Sequence, residues 1–232
     1  MNAINVIAVI PARSGSKGIK DKNIKIINGK PLIYWTVKTA LESKFINRVL
    51  VSTDSMKYAN IVKKYGAEVP LLRPKSISKD KSTDIEFFIH LIKSLKLSQE
   101  DLLVHLRPTT PYRDIKVINK AIKFFKKNIN NYTALRSAHE MSESAYKTFE
   151  IKKNLLKSIS TIGNIEIANQ PRQSFPITYQ ANGYIDIVKV KEILSNNTLY
   201  GQKCFAFKTL TSYEIDNEND FNLIKILKIL KK

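Results

Sequence analysis

The 232-residue chain has one cysteine, Cys204. An intrachain disulfide framework and a cysteine-based zinc site are therefore excluded. The three histidines, His90, His105 and His139, show no His-x-x-x-His or other paired spacing, so they read as core or surface residues. No apolar run approaches the roughly 20 residues that a membrane span needs. Residues 1–5 carry no basic stretch and lead straight into a strand-like segment, which reads as a cytoplasmic protein without a signal peptide. Acids are scarce: 20 Asp and Glu stand against 39 Lys and Arg, a formal net charge of +19. Such a charge suits a nucleic-acid or anionic-membrane partner. Yet Lys123, Lys126 and Lys127, and Lys225, Lys228, Lys231 and Lys232, fall on helical segments as solvated faces. The chain has no aromatic-basic pattern of an RNA-binding sheet and no helix-turn-helix spacing, so neither nucleic acid nor membrane is the expected partner. A general positive field would still steer a triphosphate.

What is present is an alternation of short apolar runs and helical stripes. Residues 4–10, 48–53, 68–72 and 102–106 read as buried strands. Helices are expected over 32–44, with Ile33, Val37, Ala40 and Leu41 on one face, and over 57–65, with Tyr58, Ile61, Val62 and Tyr65 on one face and Gly66 just beyond. Thr83 and Glu86 have capping-box spacing before Ile85, Phe88, Ile89, Ile92 and Leu95. Asp114 can cap a helix bearing Ile118, Ala121, Ile122 and Phe125. The pattern predicts one α/β domain spanning 1–232, with a Rossmann-like, mostly parallel sheet and helices on both faces. Residues 133–174 lack a helical stripe and read as strands or hairpins of an insertion, a candidate dimerisation arm. The chain then returns through a strand at 183–188, a helix near 189–196, a strand at 203–207 and a terminal helix bearing Phe221, Ile224, Leu227 and Leu230. Cys204, within an apolar strand, reads as a small core residue.

Open parallel sheets bind ligands beyond the carboxyl ends of their strands. Residues 11–23, 54–55 and 107–113 fall there. The first segment reads Pro11-Ala-Arg-Ser-Gly-Ser-Lys-Gly-Ile-Lys-Asp-Lys-Asn23. It combines Gly15 and Gly18 for close backbone approach, Ser14 and Ser16 as donors, and Arg13, Lys17, Lys20 and Lys22 as cations. That is the equipment of a phosphate cradle, although the glycine spacing is not that of a Walker A loop. Glu214 and Asp216 lie two apart on an extended segment, a spacing that puts two carboxylates on one side.

The run Ile10-Pro-Ala-Arg-Ser-Gly-Ser-Lys-Gly with Lys22-Asn23 resembles the signature of the acylneuraminate cytidylyltransferases. The likeness continues in order through Val51-Ser-Thr-Asp54, Arg73-Pro74, Asp80 to Asp84, Arg107-Pro-Thr-Thr-Pro-Tyr-Arg113, Arg172-Gln173 with Pro176, Asn182-Gly183 and Glu214-Ile-Asp216. It implies a nucleotide-diphospho-sugar transferase fold. It also implies transfer of CMP from CTP to a nine-carbon 2-keto-3-deoxy sugar acid (a nonulosonic acid), with Mg²⁺ and a homodimer. By the same resemblance Arg13 and Lys22 are catalytic. Arg13, Ser16, Lys17 and Lys22 would hold phosphates, while Asn23, Arg73, Ser82 and Asp84 would face cytosine and ribose. Arg107, Thr109, Thr110, Arg172, Gln173, Tyr184, Asp186 and Phe205 would form the sugar pocket, with Arg172 and Gln173 donated across the dimer interface. Asp216 and Glu214 would bind the metal.

The chain departs from the pattern at four of these positions. Arg107 stands where Gln is usual, Asp186 where an aromatic is common, Asp84 where a hydroxyl residue is commoner, and Glu214 where Asp is usual. Arg107 and Asp186 bear on sugar recognition and point toward a legionaminic-type diacetamido acid. CMP activation of an eight-carbon ulosonic acid and a basic nucleic-acid-binding protein are the competing readings.

Overall fold

The computed structural model describes residues 4–159 and 165–230. Residues 1–3, residues 160–164 of the expected insertion, Lys231 and Lys232 lie outside the described residues, as do the side chains of Leu227, Lys228, Ile229 and Leu230.

Strand β1 (Val6–Pro11) buries Val6 to Ile10 without a break, so it is covered on both faces. A small hairpin follows, β2 (Ile26–Ile27) and β3 (Lys30–Pro31), turning through Asn28 and Gly29 at φ 51° and 79°. Asn-Gly is the pair that such a tight turn selects. Helix α1 (Leu32–Leu41) starts after Pro31 and buries Ile33, Val37 and Ala40. Strand β4 (Arg48–Ser52) leads to α2 (Met56–Lys63), whose first turn is capped by Ser55. Gly66, at φ 89°, ends that helical stretch as expected.

The expected strand at 68–72 forms only a single parallel bridge, Leu50 to Glu68. Pro70 has no N–H to extend it, and the Arg73 N–H instead donates to the Thr53 carbonyl at 2.7 Å. Helix α3 (Asp84–Leu95) opens on the expected capping box, with the Glu86 carboxylate accepting from the Thr83 backbone N–H. It buries Phe87 and Leu91 as well as Phe88 and Ile92.

Strand β5 (Leu102–His105) precedes α4 (Ile115–Lys127), capped by Asp114, which accepts from the Lys116 N–H at 2.8 Å. Then come β6 (Ala134–Glu140), β7 (Phe149–Lys152), β8 (Leu155–Ser158) and the short α5 (Ile165–Ala168). The chain closes with β9 (Tyr179–Lys189), α6 (Val190–Asn196), β10 (Cys204–Lys208) and α7 (Glu218–Leu230).

The central sheet has the order β10-β6-β9-β5-β1-β4. Strand β9 is antiparallel to both neighbours, and the other pairings β1–β4, β1–β5 and β10–β6 are parallel. All strands but β9 therefore point one way, and their carboxyl ends share one edge. Successive β1 residues face opposite layers. Val6, Ala8 and Ile10 pack with α1, α2 and α4, while Ile7 and Val9 pack with α3 and α6. A third cluster joins Ile19, Ile27, Leu32, Ile215, Phe221 and Ile224, and so fastens the basic loop to α7.

Two further expectations are corrected by the fold. Strand β6 lies inside the expected insertion 133–174 yet belongs to the central sheet, between β10 and β9. The projecting part is the separate β7–β8 pair with α5, because β9 extends outward from Lys189 to Tyr179 along β6. Cys204 is exposed rather than core, because β10 is the sheet's edge strand.

Phe125 is fully buried between α4 and the sheet. Phe125→Ala is expected to cost about 3–5 kcal/mol of unfolding free energy. Urea titration checks it, and a loss below about 1 kcal/mol would contradict the packing described.

Candidate active site

The loop after β1 is held by backbone first. The Ala12 N–H still donates to the Ser52 carbonyl at 2.9 Å, and then the chain leaves the sheet. Asp54, at the end of β4, receives both the Ser14 N–H (2.7 Å) and the Ser14 hydroxyl (2.8 Å). Gly15 takes φ 73°, which releases the chain into the turn. Gly18 passes so close to the Asp216 carbonyl oxygen that any Cβ there would overlap it. Residue 18 must be glycine if the loop is to lie against the strand-like segment before α7.

The loop's cations are restrained by anions and carbonyls. Arg13 donates to Asp80 at 2.9 Å and to the Gly15 carbonyl at 3.3 Å. Lys17 pairs with the other oxygen of Asp80 at 2.7 Å. Those two cations, Lys17 first, hold the Asp80 carboxyl below its ordinary range. Lys22 Nζ donates to the Ile215 carbonyl at 2.7 Å and lies 3.4 Å from Asp216. Buried Asn23 donates to the Arg13 carbonyl at 3.1 Å, closing the loop on itself.

Arg73 comes to the same place from below β4. Its Nε donates to the Ser52 hydroxyl at 3.0 Å and its Nη2 to the Ser52 carbonyl at 2.7 Å. The guanidinium lies 4.8 Å from the Phe87 ring centroid. Burial pulls its pKa down to about 10, so it stays a cation at neutral pH.

Arg107, beyond the end of β5, carries a charge network. Its Nη1 donates to Asp186 at 3.0 Å and its Nη2 to Asp84 at 3.1 Å. Arg107, Asp186 and Asp84, each a departure from the family pattern, are therefore bonded to one another. Burial alone would depress Arg107, but Asp186 and Asp84 outweigh it and raise its pKa. Burial pushes the Asp186 carboxyl up against the pull of Arg107 and Arg136, and the Tyr200 hydroxyl adds a hydrogen bond of 3.1 Å. Behind this group His105 is fully buried against Phe87 and Phe88. Burial, then the surrounding arginines, drives its pKa well below the usual value, so it is neutral.

Arg113 is also buried. It donates to the carbonyls of Tyr184 (2.6 Å), Arg107 (2.7 Å), Gly183 (2.7 Å) and Thr110, and to the Thr36 hydroxyl (3.0 Å). Burial lowers its pKa to about 9. Its part is to fix the loop after β5 against β9 and α1.

A cleft of about 380 Å³ opens where these segments meet. Of the residues expected at the site, it brings together Arg13, Ser16, Lys17, Lys22, Asn23, Arg73, Ser82, Asp84, Arg107, Thr109 and Asp216. Thr110, Tyr184 and Asp186 are buried behind that lining. The Tyr184 hydroxyl accepts from the Asp114 N–H, so it caps a helix instead of facing the cleft. Phe205 packs against Phe124 and Tyr132 with tilted rings, at centroid distances of 4.4 and 4.9 Å, along the edge strand. Arg172 and Gln173 line a separate groove with Glu140, Met141 and Phe175.

Glu214 is not among the cleft-lining residues; one of its oxygens accepts from the Gly183 N–H. Sequence reasoning gave no individual role to Asp54 and Asp80, although both lie in matched stretches. A carboxylate two to four residues from the next polar motif carries no pattern of its own, and pairing across 40 or 67 residues is visible only in the fold.

Among the described residues no three His, Cys, Asp or Glu side chains form a metal cluster. Mg²⁺ held on a triphosphate needs only one or two protein carboxylates. Asp216, lining the cleft with a side chain 74% exposed, fits that requirement. Glu214 fits it less well, with one oxygen already engaged.

A basic glycine loop, buried arginines and an exposed carboxylate thus gather at the carboxyl edge of a mostly parallel sheet, an arrangement suited to a nucleotide's phosphates. The family profile described as Cytidylyltransferase matches residues 7–231, and the chain belongs to that family. It is 33% identical over 222 residues to an N-acylneuraminate cytidylyltransferase of Escherichia coli O18:K1:H7, an alignment that covers 94% of this chain and 51% of that protein. The chain thus spans about half the length of that relative. It is 32% identical over 231 residues to a CMP-N,N'-diacetyllegionaminic acid synthase of Legionella pneumophila, covering 97% of this chain and 96% of that one. Its fold matches a solved CMP:2-keto-3-deoxy-manno-octonic acid synthetase complexed with CTP at a TM-score of 0.73 and 16% identity, over 98% of this chain and 100% of that one.

The buried neutral His105 generates a pH prediction. Its folded pKa lies below the unfolded value of 6.5, so only the unfolded chain takes up a proton as pH falls through that value. Stability is retained above about 6.5 and is lost below it, by up to about 1.4 kcal/mol per pH unit. Urea titrations between pH 7.5 and 5.5 should show a steeper loss for the wild type than for His105→Gln. Equal slopes would contradict a neutral, buried imidazole.

Proposed function

We propose that this chain transfers CMP from CTP to the anomeric 2-hydroxyl of a nine-carbon 2-keto-3-deoxy sugar acid, releasing pyrophosphate. The observation that carries this reading is the convergence of Arg13, Lys17, Lys22, Arg73 and Arg107 on one cleft that Asp216 also lines. Nucleotidyl transfer depends on positioning and on neutralising charge across the phosphates, and these residues supply both. In the reaction the sugar's 2-hydroxyl gives up its proton to solvent as its oxygen bonds to the α-phosphorus, and the bond from that phosphorus to the bridging oxygen breaks. The electron pair leaves with pyrophosphate.

Arg13 and Lys17 exchange Asp80 for the outgoing phosphates, and Lys22 holds the side nearest Asp216. Asn23, Arg73, Ser82 and Asp84 form the nucleoside side. Mg²⁺, held by Asp216 with Glu214 close by in sequence, would screen the phosphate charge and favour the leaving group.

Arg107 is already bonded to two carboxylates, Asp186 and Asp84, so its charge is engaged and this wall is a poor seat for the sugar's own carboxylate. It suits hydroxyl and amide N–H groups, in keeping with a diacetamido acceptor. Thr109 belongs to the same wall.

The chain acts as a single domain and as a homodimer in the cytoplasm. The β7–β8 pair exposes Ile151, Leu155 and Leu156, which suits a subunit contact. Arg172 and Gln173 would then serve a partner's sugar site.

Pyrophosphate release with CTP and Mg²⁺ tests the reading against N-acetylneuraminate, diacetyllegionaminate, pseudaminate and the eight-carbon acid. Release is expected with diacetyllegionaminate, and Arg13→Ala is expected to lower kcat/KM by about 100-fold or more, about 3 kcal/mol. No release with any acceptor would overturn the reading. Wild-type-like release by Arg13→Ala would remove the loop's role, and salt-sensitive binding of random DNA without any response to CTP would favour a nucleic-acid binder.

A further inference from the structure

The phosphate loop is fastened to one short segment of the fold at both ends. At its front, Asp54 holds the Ser14 N–H and hydroxyl. At its back, the Asp21 carboxylate accepts from the Tyr58 hydroxyl at 2.9 Å and from Lys57 at 3.1 Å. Asp54 and Tyr58 sit on either side of the α2 N-cap, Ser55. Tyr58 is 1% exposed, locked in the core among α1, α2 and β1 residues, so its hydroxyl is a fixed point. Asp21 itself is left-handed at φ 53° and caps the 3₁₀ turn Lys22–Ile24. Its backbone carbonyl accepts from the N–H groups of Ile24 (2.9 Å) and Lys25 (3.1 Å). The turn that presents Lys22 and Asn23 to the cleft is therefore organised around Asp21.

We infer that Tyr58 is a positioning residue for the phosphate loop, acting through Asp21 on Lys22 and Asn23. A left-handed non-glycine residue costs energy and persists only where its surroundings hold it. The buried hydroxyl supplies that hold, because a charge-assisted hydrogen bond to a carboxylate is stronger than a neutral one. Loss of the hydroxyl loosens the back of the loop, leaving Asp21 to the exposed Lys57 pair, while Asp54 still holds the front. Lys22 then samples positions away from the phosphates, and binding has to order it again. The sugar wall at Arg107 and Thr109 has no contact with this staple and stays as it is.

This inference rests on the loop holding phosphates, so its test uses a probe that does not depend on the nucleoside or the acceptor. Titration calorimetry with inorganic tripolyphosphate and Mg²⁺ is applied to the wild type, Tyr58→Phe and Asp21→Asn. Tyr58→Phe removes only the oxygen and is expected to weaken tripolyphosphate about 10-fold. Asp21→Asn keeps an acceptor for Tyr58 but loses the carboxylate charge and the Lys57 pair, so it is expected to weaken tripolyphosphate as well.

With CTP and acceptor, Tyr58→Phe is expected to raise the KM for CTP by the same factor and leave the KM for the sugar acid unchanged. A Tyr58→Phe variant with a lower Tm but wild-type tripolyphosphate affinity would overturn the inference, since the hydroxyl would then serve stability alone. An Asp21→Asn variant that binds tripolyphosphate like the wild type would also overturn it, as would a wild type that does not bind the probe. Tripolyphosphate binding without pyrophosphate release would leave the staple standing and remove the catalytic reading.

Discussion

Like charges must be crowded into one cleft and kept apart at the same time. Arg13, Lys17, Lys22, Arg73 and Arg107 converge there and repel one another. Each is held by a partner of opposite polarity: Asp80 for Arg13 and Lys17, the Ile215 carbonyl and Asp216 for Lys22, Ser52 for Arg73, and Asp84 with Asp186 for Arg107. The sheet provides those partners because its parallel strands end on one edge, so carbonyls and following acids gather there. Excess positive charge over the whole chain adds attraction for a triphosphate, and the held cations give that attraction a direction.

Two kinds of holding are visible. Asp80 is exposed and shares its oxygens with flexible side chains, so a triphosphate can replace it at small cost. Arg113, Asp186 and Tyr58 are buried, and their bonds are part of the fold. Removing one partner of such a buried group leaves the other unsatisfied, which is expensive. The exchangeable contacts therefore face the ligand and the permanent ones stand behind them. That arrangement lets the site change occupant while the strands and loops that shape it stay in place.

Much of this was legible in the sequence. The unbroken apolar run of β1, the capping residues Thr83, Glu86 and Asp114, and the alternation of strands and helices all follow from local chemistry, and all appear in the fold. The basic loop was legible too, as glycines, hydroxyls and cations clustered directly after a buried strand, and Arg13, Ser16, Lys17 and Lys22 from it line the cleft. What local chemistry could not show is pairing across distance. Strand β6 was read as part of an insertion because its pattern is weak, and only its bonds to β9 and β10 put it in the core. Cys204 was read as core because its strand is apolar, whereas edge position decides exposure. Arg107, Asp84 and Asp186 stood out one at a time as departures from a family pattern, and the structure makes them one charge network. Thr110, Tyr184 and Phe205, expected against the sugar, instead support the lining from behind or pack at the sheet's edge.

Attack at the α-phosphate of CTP, as proposed above, can be followed by phosphorus-31 NMR of the protein with CTP, Mg²⁺ and diacetyllegionaminate. The three CTP resonances should give way to one phosphodiester resonance and to pyrophosphate in equal amounts. Formation of CDP and inorganic phosphate, or unchanged CTP, would contradict it.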